Sequence, residues 1–307
     1  MGRRLGQLLA FFCALRGSAL AAEADTTALR GLAGAGMADG LELGSVRRAP
    51  AAMLLDVDYA AQVELGFGDG LRPMGVMKDT RTSAFGAGVL YTSEWADRAA
   101  EVDDLPGWLP ADEDLPTDDS WSQTTRVSFG YGAGQLVIQD GASMREVRRF
   151  AVGASAVYER VDSSLSGLTQ AVELDVGLAG RPTGLITVAA TAHDLLPTGE
   201  RLPSAELGVC WLARPTLKLV ADGAWDRGYT GGPWGGRAGI ELTAAEAVPL
   251  RVGYAVEGDT QRLGLGLGIE DQKARLDYAI NVITVGPKAT RDDPAFITHS
   301  VALRVQL

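Results

Sequence analysis

Gln261-Arg262-Leu263-Gly264-Leu265-Gly266-Leu267-Gly268-Ile269 decides the fold. A large apolar residue recurs at every second position with glycine between, which is the two-residue period of a strand and not the 3.6-residue period of a helix face. Two more stretches repeat the alternation. Leu276, Tyr278 and Ile280 stand against Arg275 and Asp277, and Val301, Leu303, Val305 and Leu307 stand against Ser300, Arg304 and Gln306. Each stretch has one oily side and one side of glycine or charge.

Working back towards the N-terminus, the same pattern can be written eleven more times. The oily faces are Val57–Phe67, Phe85–Tyr91, Thr125–Tyr131, Leu136–Ile138, Phe150–Tyr158, Val172–Leu178, Ile186–Ala192, Leu207–Trp211, Leu217–Trp225, Ala238–Leu242 and Leu250–Val256. Fourteen strands in succession, an even number, are what a bacterial outer-membrane barrel needs. The chain outside its N-terminus holds no apolar run of the roughly 18 residues a spanning helix requires. A membrane protein without such helices has to be a closed barrel, since only closure satisfies every backbone polar group. Short links such as 270–272 and 213–215 alternate with longer ones such as 282–294 and 226–235, and Tyr91, Trp121, Tyr131, Tyr158, Trp211 and Trp225 fall near strand ends, where amphipathic rings suit a headgroup layer. The expected fold is an all-β transmembrane antiparallel barrel of about 14 strands.

The chain has 307 residues, 39 of them glycine, and a formal net charge of −11. Residues 1–22 read as a secretory signal: Arg3 and Arg4, an apolar core from Leu5 to Leu15, and Ala19-Leu20-Ala21 before Glu23. Without that segment, which carries three arginines and no acid, the charge falls to −14, and no basic footprint for nucleic acid exists. One cysteine, Cys210, then remains; it sits in Leu207-Gly-Val-Cys-Trp211 and reads as a small buried residue. Residues 23–52, rich in glycine and alanine, form a separate N-terminal part ahead of a barrel at 53–307. Gly34-Ala-Gly36 within it lacks the third glycine of a dinucleotide fingerprint, because position 39 is aspartate.

On the inner faces, period two places Arg126, Arg149, Lys218, Arg237, Arg251, Arg275 and Arg304 beside Glu173, Asp175, Glu206, Asp222, Glu241 and Asp277. Cations and anions nearly balance. Such a lumen pairs its charges and fills, whereas an ion-selective pore carries an excess of one sign. No apolar inner stripe of the kind a fatty-acid conduit needs is visible. The stretch 93–120 is the most acidic, with ten carboxylates against Arg98 alone. Its Trp95, Asp103, Asp104, Trp108, Asp112 and Asp114 offer a docking surface for a basic partner. Asp112-Glu-Asp114 resembles half a calcium loop, but Pro116 takes the next ligand position, so no metal or cofactor is expected. Only His193 and His299 are present, without a nucleophile elbow or His-Glu-x-x-His, and neighbours such as His193 and Asp194 on a strand point to opposite faces. An enzyme is not expected.

From Ala171-Val-Glu-Leu-Asp-Val-Gly-Leu-Ala-Gly-Arg-Pro182 through Ala205–Pro215, Leu250–Tyr254, Leu265–Ile269, Leu276–Tyr278 and Thr298–Arg304, the chain resembles the PorV/PorQ-like outer-membrane proteins of the larger FadL-type group. The likeness covers 150–307. Ala49-Pro-Ala-Ala-Met53 looks like the family's Asn-Pro-Ala-Gly-Leu element with two departures, Ala49 and Ala52, and Leu307 departs from the usual terminal aromatic. The resemblance implies a bacterial outer-membrane barrel partly plugged by its N-terminal segment. It also implies a PorV-like scaffold for protein export, with outer-membrane lipid, secreted proteins or secretion components as partners. The alternative is a FadL-like passive transporter of long-chain fatty acids or other hydrophobic small molecules.

Overall fold

The computed structural model describes residues 25–306 apart from 41, 69, 83, 98–120, 138–146, 164–166, 197–201, 228, 230, 246, 272 and 287–296. The proposed signal, Leu307 and loop residues Asp103, Asp104, Trp108, Asp112 and Asp114 lie outside the described residues. Fourteen strands close into one antiparallel barrel: β1 Tyr59–Phe67, β2 Gly70–Asp79, β3 Phe85–Asp97, β4 Trp121–Val137, β5 Val147–Ser163, β6 Gly167–Thr183, β7 Ile186–His193, β8 Ser204–Arg214, β9 Leu217–Trp225, β10 Trp234–Ala244, β11 Val248–Glu257, β12 Thr260–Glu270, β13 Ala274–Val285 and β14 Ile297–Gln306. Each pairs with its sequence neighbours, and β1 pairs with β14 from Ala60↔Gln306 to Phe67↔His299, so no edge is left open.

The alternation shows on the outer surface. Val89, Val127, Phe129, Val152, Val176, Leu178, Leu207, Ile240, Val252, Leu265, Leu267, Leu276 and Leu303 are all exposed. Aromatic rings bound this oily band. Tyr59, Phe85, Phe150 and Trp211 lie at the end where β1 starts and β14 finishes, here the near end; Phe67, Trp95, Trp225 and Trp234 lie at the far end.

The total of fourteen agrees with expectation, but two of its members do not. Thr125–Tyr131 and Leu136–Ile138 are not separate strands: β4 runs through Gly132-Ala-Gly134 without a break. β2 was not anticipated, because Leu71 and Met77 outside and Met74 and Val76 inside leave no polar face to mark a period. Pro73 also argues against a strand interior; the β2–β3 ladder accommodates it by pairing Leu71↔Trp95 and then Met74↔Thr92, skipping Arg72 and Pro73. These two differences put the end of β3 and the start of β4 at the far end.

A third difference is local. Arg149, expected inside, is exposed, and Arg148 is fully buried. The β4–β5 register shifts between Gln135 and Leu136, so Phe150 pairs with Gln135 but Arg148 with Leu136, and the extra residue of this bulge flips the parity. Turned inward, the Arg148 guanidinium donates to the carbonyls of Leu54 (2.7 Å), Thr80 (2.9 Å) and Thr82 (2.5 Å). Arg148→Ala strands buried carbonyls that each cost about 1–3 kcal/mol when unsatisfied. The expected outcome is a loss of about 3 kcal/mol or more in urea unfolding, with Arg148→Lys recovering only part because an ammonium lacks the planar fork.

β4, β5 and β6 have 17 residues each. β7 has 8 and pairs with β6 only from Val176 to Thr183. At the far end one part of the wall therefore stands well above the rim beside it. The outer face of this tall part carries the exposed Trp95 stacked on Trp121, ring centroids 5.6 Å apart.

Candidate functional site

An eight-stranded barrel fills with its own side chains, whereas sixteen strands leave a water channel. Fourteen strands leave a space that side chains alone do not close, and residues 25–58 occupy it. Two short helices, α1 Thr27–Arg30 and α2 Ser45–Arg48, and a 3-10 turn at Ala52–Leu54 lie along this segment. Leu29, Leu32, Met37, Leu43, Val46, Met53, Leu54 and Leu55 are each at most 1% exposed. The segment touches walls all round the barrel, from β3, β4 and β5 to β12, β13 and β14.

Inward glycines make that fit possible. Gly86, Gly132, Gly153 and Gly177 pair in register across β3 to β6. Gly239, Gly253 and Gly264 do the same across β10 to β12, on the opposite wall. A Cβ on Gly132 would overlap Leu54, one on Gly153 would meet the Pro50–Ala51 peptide, one on Gly253 the Leu32 backbone, and one on Gly264 the Arg30 carbonyl and Ala33 amide. Gly31 and Gly266 meet backbone to backbone: a Cβ on Gly31 would lie 2.9 Å from the Gly266 Cα. Gly264 and Gly266 of the stretch 261–269 are thus seats for the segment. Within the segment, Gly34 at φ +85° takes a left-handed conformation where a Cβ would also crowd Asp25 Oδ2.

Charges fasten the two parts together. Arg48 reaches Asp25 Oδ1 (2.8 Å), the Gly34 carbonyl (2.5 Å) and Glu206 on β8 (3.1 Å). Asp222 on β9 accepts the amides of Gly36 (2.7 Å) and Met37 (3.1 Å). Lys218 bridges Asp39 (2.6 Å) and Glu241 (2.9 Å), Arg47 meets Glu173 (3.3 Å), and Arg30 meets Glu64 (3.7 Å). Glu42 lies 3.7 Å from Arg275; burial holds its carboxyl above the usual range, and Arg275 and Lys218 oppose that.

Most of the remaining inward charges pair within the wall. Arg251 joins Glu241 (2.6 Å) and Asp277 (2.7 Å), Arg275 also holds Asp277 (2.7 Å), and Arg304 lies 3.7 Å from Asp58. Arg126 pairs with Glu159 at 2.7 Å. Asp175 takes Ser155 Oγ (3.1 Å), the Asp194 amide (3.1 Å) and His193 Nδ1 (3.4 Å), so the partner of His193 is Asp175 on the next strand. A cavity of about 50 Å³ at the far mouth is lined by Arg47, Arg48, Asp175, His193, Glu206 and Tyr229. It holds a few waters at most, being about a third of a cavity that admits benzene. Burial pushes the Tyr229 phenol up, so it stays protonated beside Arg237.

An inner apolar stripe does exist, and sequence reasoning missed it along with the strand that bears it. The inner face of β2 reads Arg72, Met74, Val76, Lys78; Met74 and Val76, with Leu90 of β3, belong to one buried apolar cluster with Leu43, Val46, Met53 and Leu54 of the segment. The same cluster also takes in Ala179, Ala189, Cys210 and Val220 of β6 to β9, and ion pairs hold the segment to β1, β2, β6, β8, β9, β13 and β14.

No protein-family model and no characterised relative matches the sequence. Among solved structures, the chain is similar to a FadL homologue of Pseudomonas aeruginosa, at TM-score 0.63 and 13% identity over 92% of this chain and 97% of that one. It is also similar to the toluene transporter TbuX of Ralstonia pickettii (TM-score 0.62, 12% identity, 91% and 96% covered) and to the monoaromatic hydrocarbon channel CymD (0.56, 10%, 91% and 95%). At these identities the likeness is one of fold, that of a closed antiparallel barrel.

Proposed function

We propose that the protein is a bacterial outer-membrane barrel through which small apolar molecules pass, with residues 25–58 as its plug. The oily band between two aromatic girdles suits a bilayer, and the near end, where two-residue turns at 184–185 and 215–216 join β6 to β7 and β8 to β9, then faces the periplasm. One observation carries the transport reading over a scaffold: the stripe of Met74, Val76 and Leu90 inside the barrel. The stripe lies in one buried cluster with Leu43, Val46, Met53 and Leu54 of the segment, and a solute that displaces this contact follows an apolar wall. The fold neighbours, described as transporters and a channel, support the same reading.

The test is uptake of labelled toluene by cells whose outer membrane contains the protein. Entry several-fold faster than in cells lacking it, and lost in Leu90→Lys, is the expected result; equal entry overturns the reading. The PorV-like scaffold reading rests on a different feature, the tall β4–β6 wall with Trp95 and Trp121 at its top, where an exported protein could dock. Capture of such a protein that is lost in Trp95→Ala, with toluene entry unchanged from the empty host, would favour it.

A further inference from the structure

Resting on the transport reading, we propose that residues 43–49, with α2 at their centre, are the gate of the barrel: this stretch swings from the wall while the rest of the segment stays in place. α2 lies between the far-mouth cavity and the apolar stripe. Its two arginines line the cavity, Arg47 meeting Glu173 on β6 at 3.3 Å and Arg48 meeting Glu206 on β8 at 3.1 Å. Leu43 and Val46 share the buried cluster with Met74, Val76 and Leu90. A solute that arrives from outside at the cavity therefore meets α2 before it meets the stripe.

The chain is pinned on both sides of this stretch. Before it, Lys78 Nζ donates to the Gly40 carbonyl (2.7 Å), and Asp222 accepts the amides of Gly36 and Met37. After it, the Pro50–Ala51 peptide fills the space over Gly153, and Arg148 holds the carbonyl of Leu54 through its guanidinium (2.7 Å) and that of Leu55 through its amide (3.0 Å). These fastenings grip backbone, which no side-chain rotation of the segment releases.

α2 is fastened differently. Its arginine–carboxylate pairs lie at the edge of a space that holds water, where a charge parted from its partner is solvated and does not stand dry. The wall beneath it is also smooth. A Cβ on Gly88 would lie 2.6 Å from Val46 Cγ2, and one on Gly130 2.7 Å from the Val46 carbonyl oxygen. Glycine at both positions leaves no wall side chain that has to turn when Val46 slides. Withdrawn from this floor, α2 joins the far-mouth cavity to the stripe, and the passage so formed runs beside β2 and β3.

Disulfide locks test which part moves. Val46→Cys with Gly88→Cys ties α2 to β3, since the position of Val46 Cγ2 puts a sulfur at 46 within bonding reach of one at 88. Met37→Cys with Gly208→Cys ties the preceding stretch to β8, where a Cβ at 208 would overlap Met37 Cγ. Both pairs are made in a Cys210→Ser background. Uptake of labelled toluene is followed in cells whose outer membrane contains the full-length protein, oxidised or reduced with dithiothreitol. The 46–88 lock is expected to cut entry at least fivefold, with recovery on reduction, and the 37–208 lock to leave entry within twofold. Arg47→Gln, which unfastens α2 from β6, should speed entry at least threefold without any cross-link. Entry that the 46–88 lock does not slow, or that both locks abolish alike, overturns α2 as the gate. Unchanged entry in Arg47→Gln overturns the ion pair as its latch. Entry through wild type no faster than in cells lacking the protein overturns the transport reading, and this inference with it.

Discussion

Gly253→Leu is expected to expel the N-terminal segment and turn a closed barrel into a conducting one. A Cβ at position 253 would fall on the carbonyl carbon, oxygen and Cα of Leu32. Those are backbone atoms at the end of α1, whose chain turns there with Leu32 N bonded to the Leu29 carbonyl and Ala35 N to the Leu32 carbonyl, so no side-chain rotation can relieve the clash. The wall cannot yield either, because β11 is laddered on both sides, to β10 and to β12. What can move is the segment, which continues into the barrel strands at Asp58. Planar-bilayer recordings should show a conductance at least tenfold above wild type, since an emptied fourteen-stranded lumen approaches the width at which barrels carry water. Gly223→Ala is the control: a Cβ there meets nothing within 4 Å, and both closure and stability should be retained. A Gly253→Leu barrel that inserts but stays closed would show that the segment tolerates the overlap.

Arg48→Met should loosen the first half of the segment while leaving the barrel folded. Arg48 is 4% exposed and gathers Asp25, the Gly34 carbonyl and Glu206 around one guanidinium. After its removal Glu206 keeps Arg237 at 2.9 Å and Asp222 keeps the Gly36 and Met37 amides, but Asp25 loses the cation that holds it under Gly34. Removing one partner of a buried pair costs about 3–5 kcal/mol, because the other charge stays in a dry site. Local opening populates in proportion, so a thiol placed by Ala28→Cys, in a Cys210→Ser background, should react with a maleimide about a hundred to several thousand times faster when Arg48 is Met. Unchanged protection of Cys at 28 would mean that the glycine seats hold the segment without Arg48. The two variants separate shape from charge as the means of retention.

What could be read from the residues was set by contrast between the two sides of each strand. Where oily outer positions alternate with glycine or charge, as in 263–269 or 250–256, period two is plain and the inward or outward sense of each residue follows. β2 lacked that contrast, since Met74 and Val76 inside stand between Leu71 and Met77 outside, and so the strand was the least visible. Gly132-Ala-Gly134 broke β4 in two for a related reason: small residues are silent about which way they face. Arg148 was lost to a bulge, which local sequence does not announce. Parity could place Arg251, Asp277 and Arg275 side by side on the lumen, but the chain's own order gives no hint that Arg48 would meet Glu206 or that Lys218 would meet Asp39, because those pairs depend on how 25–58 threads through the ring. The alanine and glycine of that segment signalled close packing without naming the surface packed against.

The route by which the segment enters the barrel bears on how the molecule is assembled. Residues 25–58 run straight into β1, and β1 joins the first strand to the last through its pairing with β14. The seam that closes the cylinder is therefore attached directly to the object the cylinder encloses. A segment left outside until the seam had zipped would have to enter through an open mouth of the barrel and reach seats shaped to its own backbone. Packing of the segment and sealing of the seam thus draw on one continuous stretch of chain.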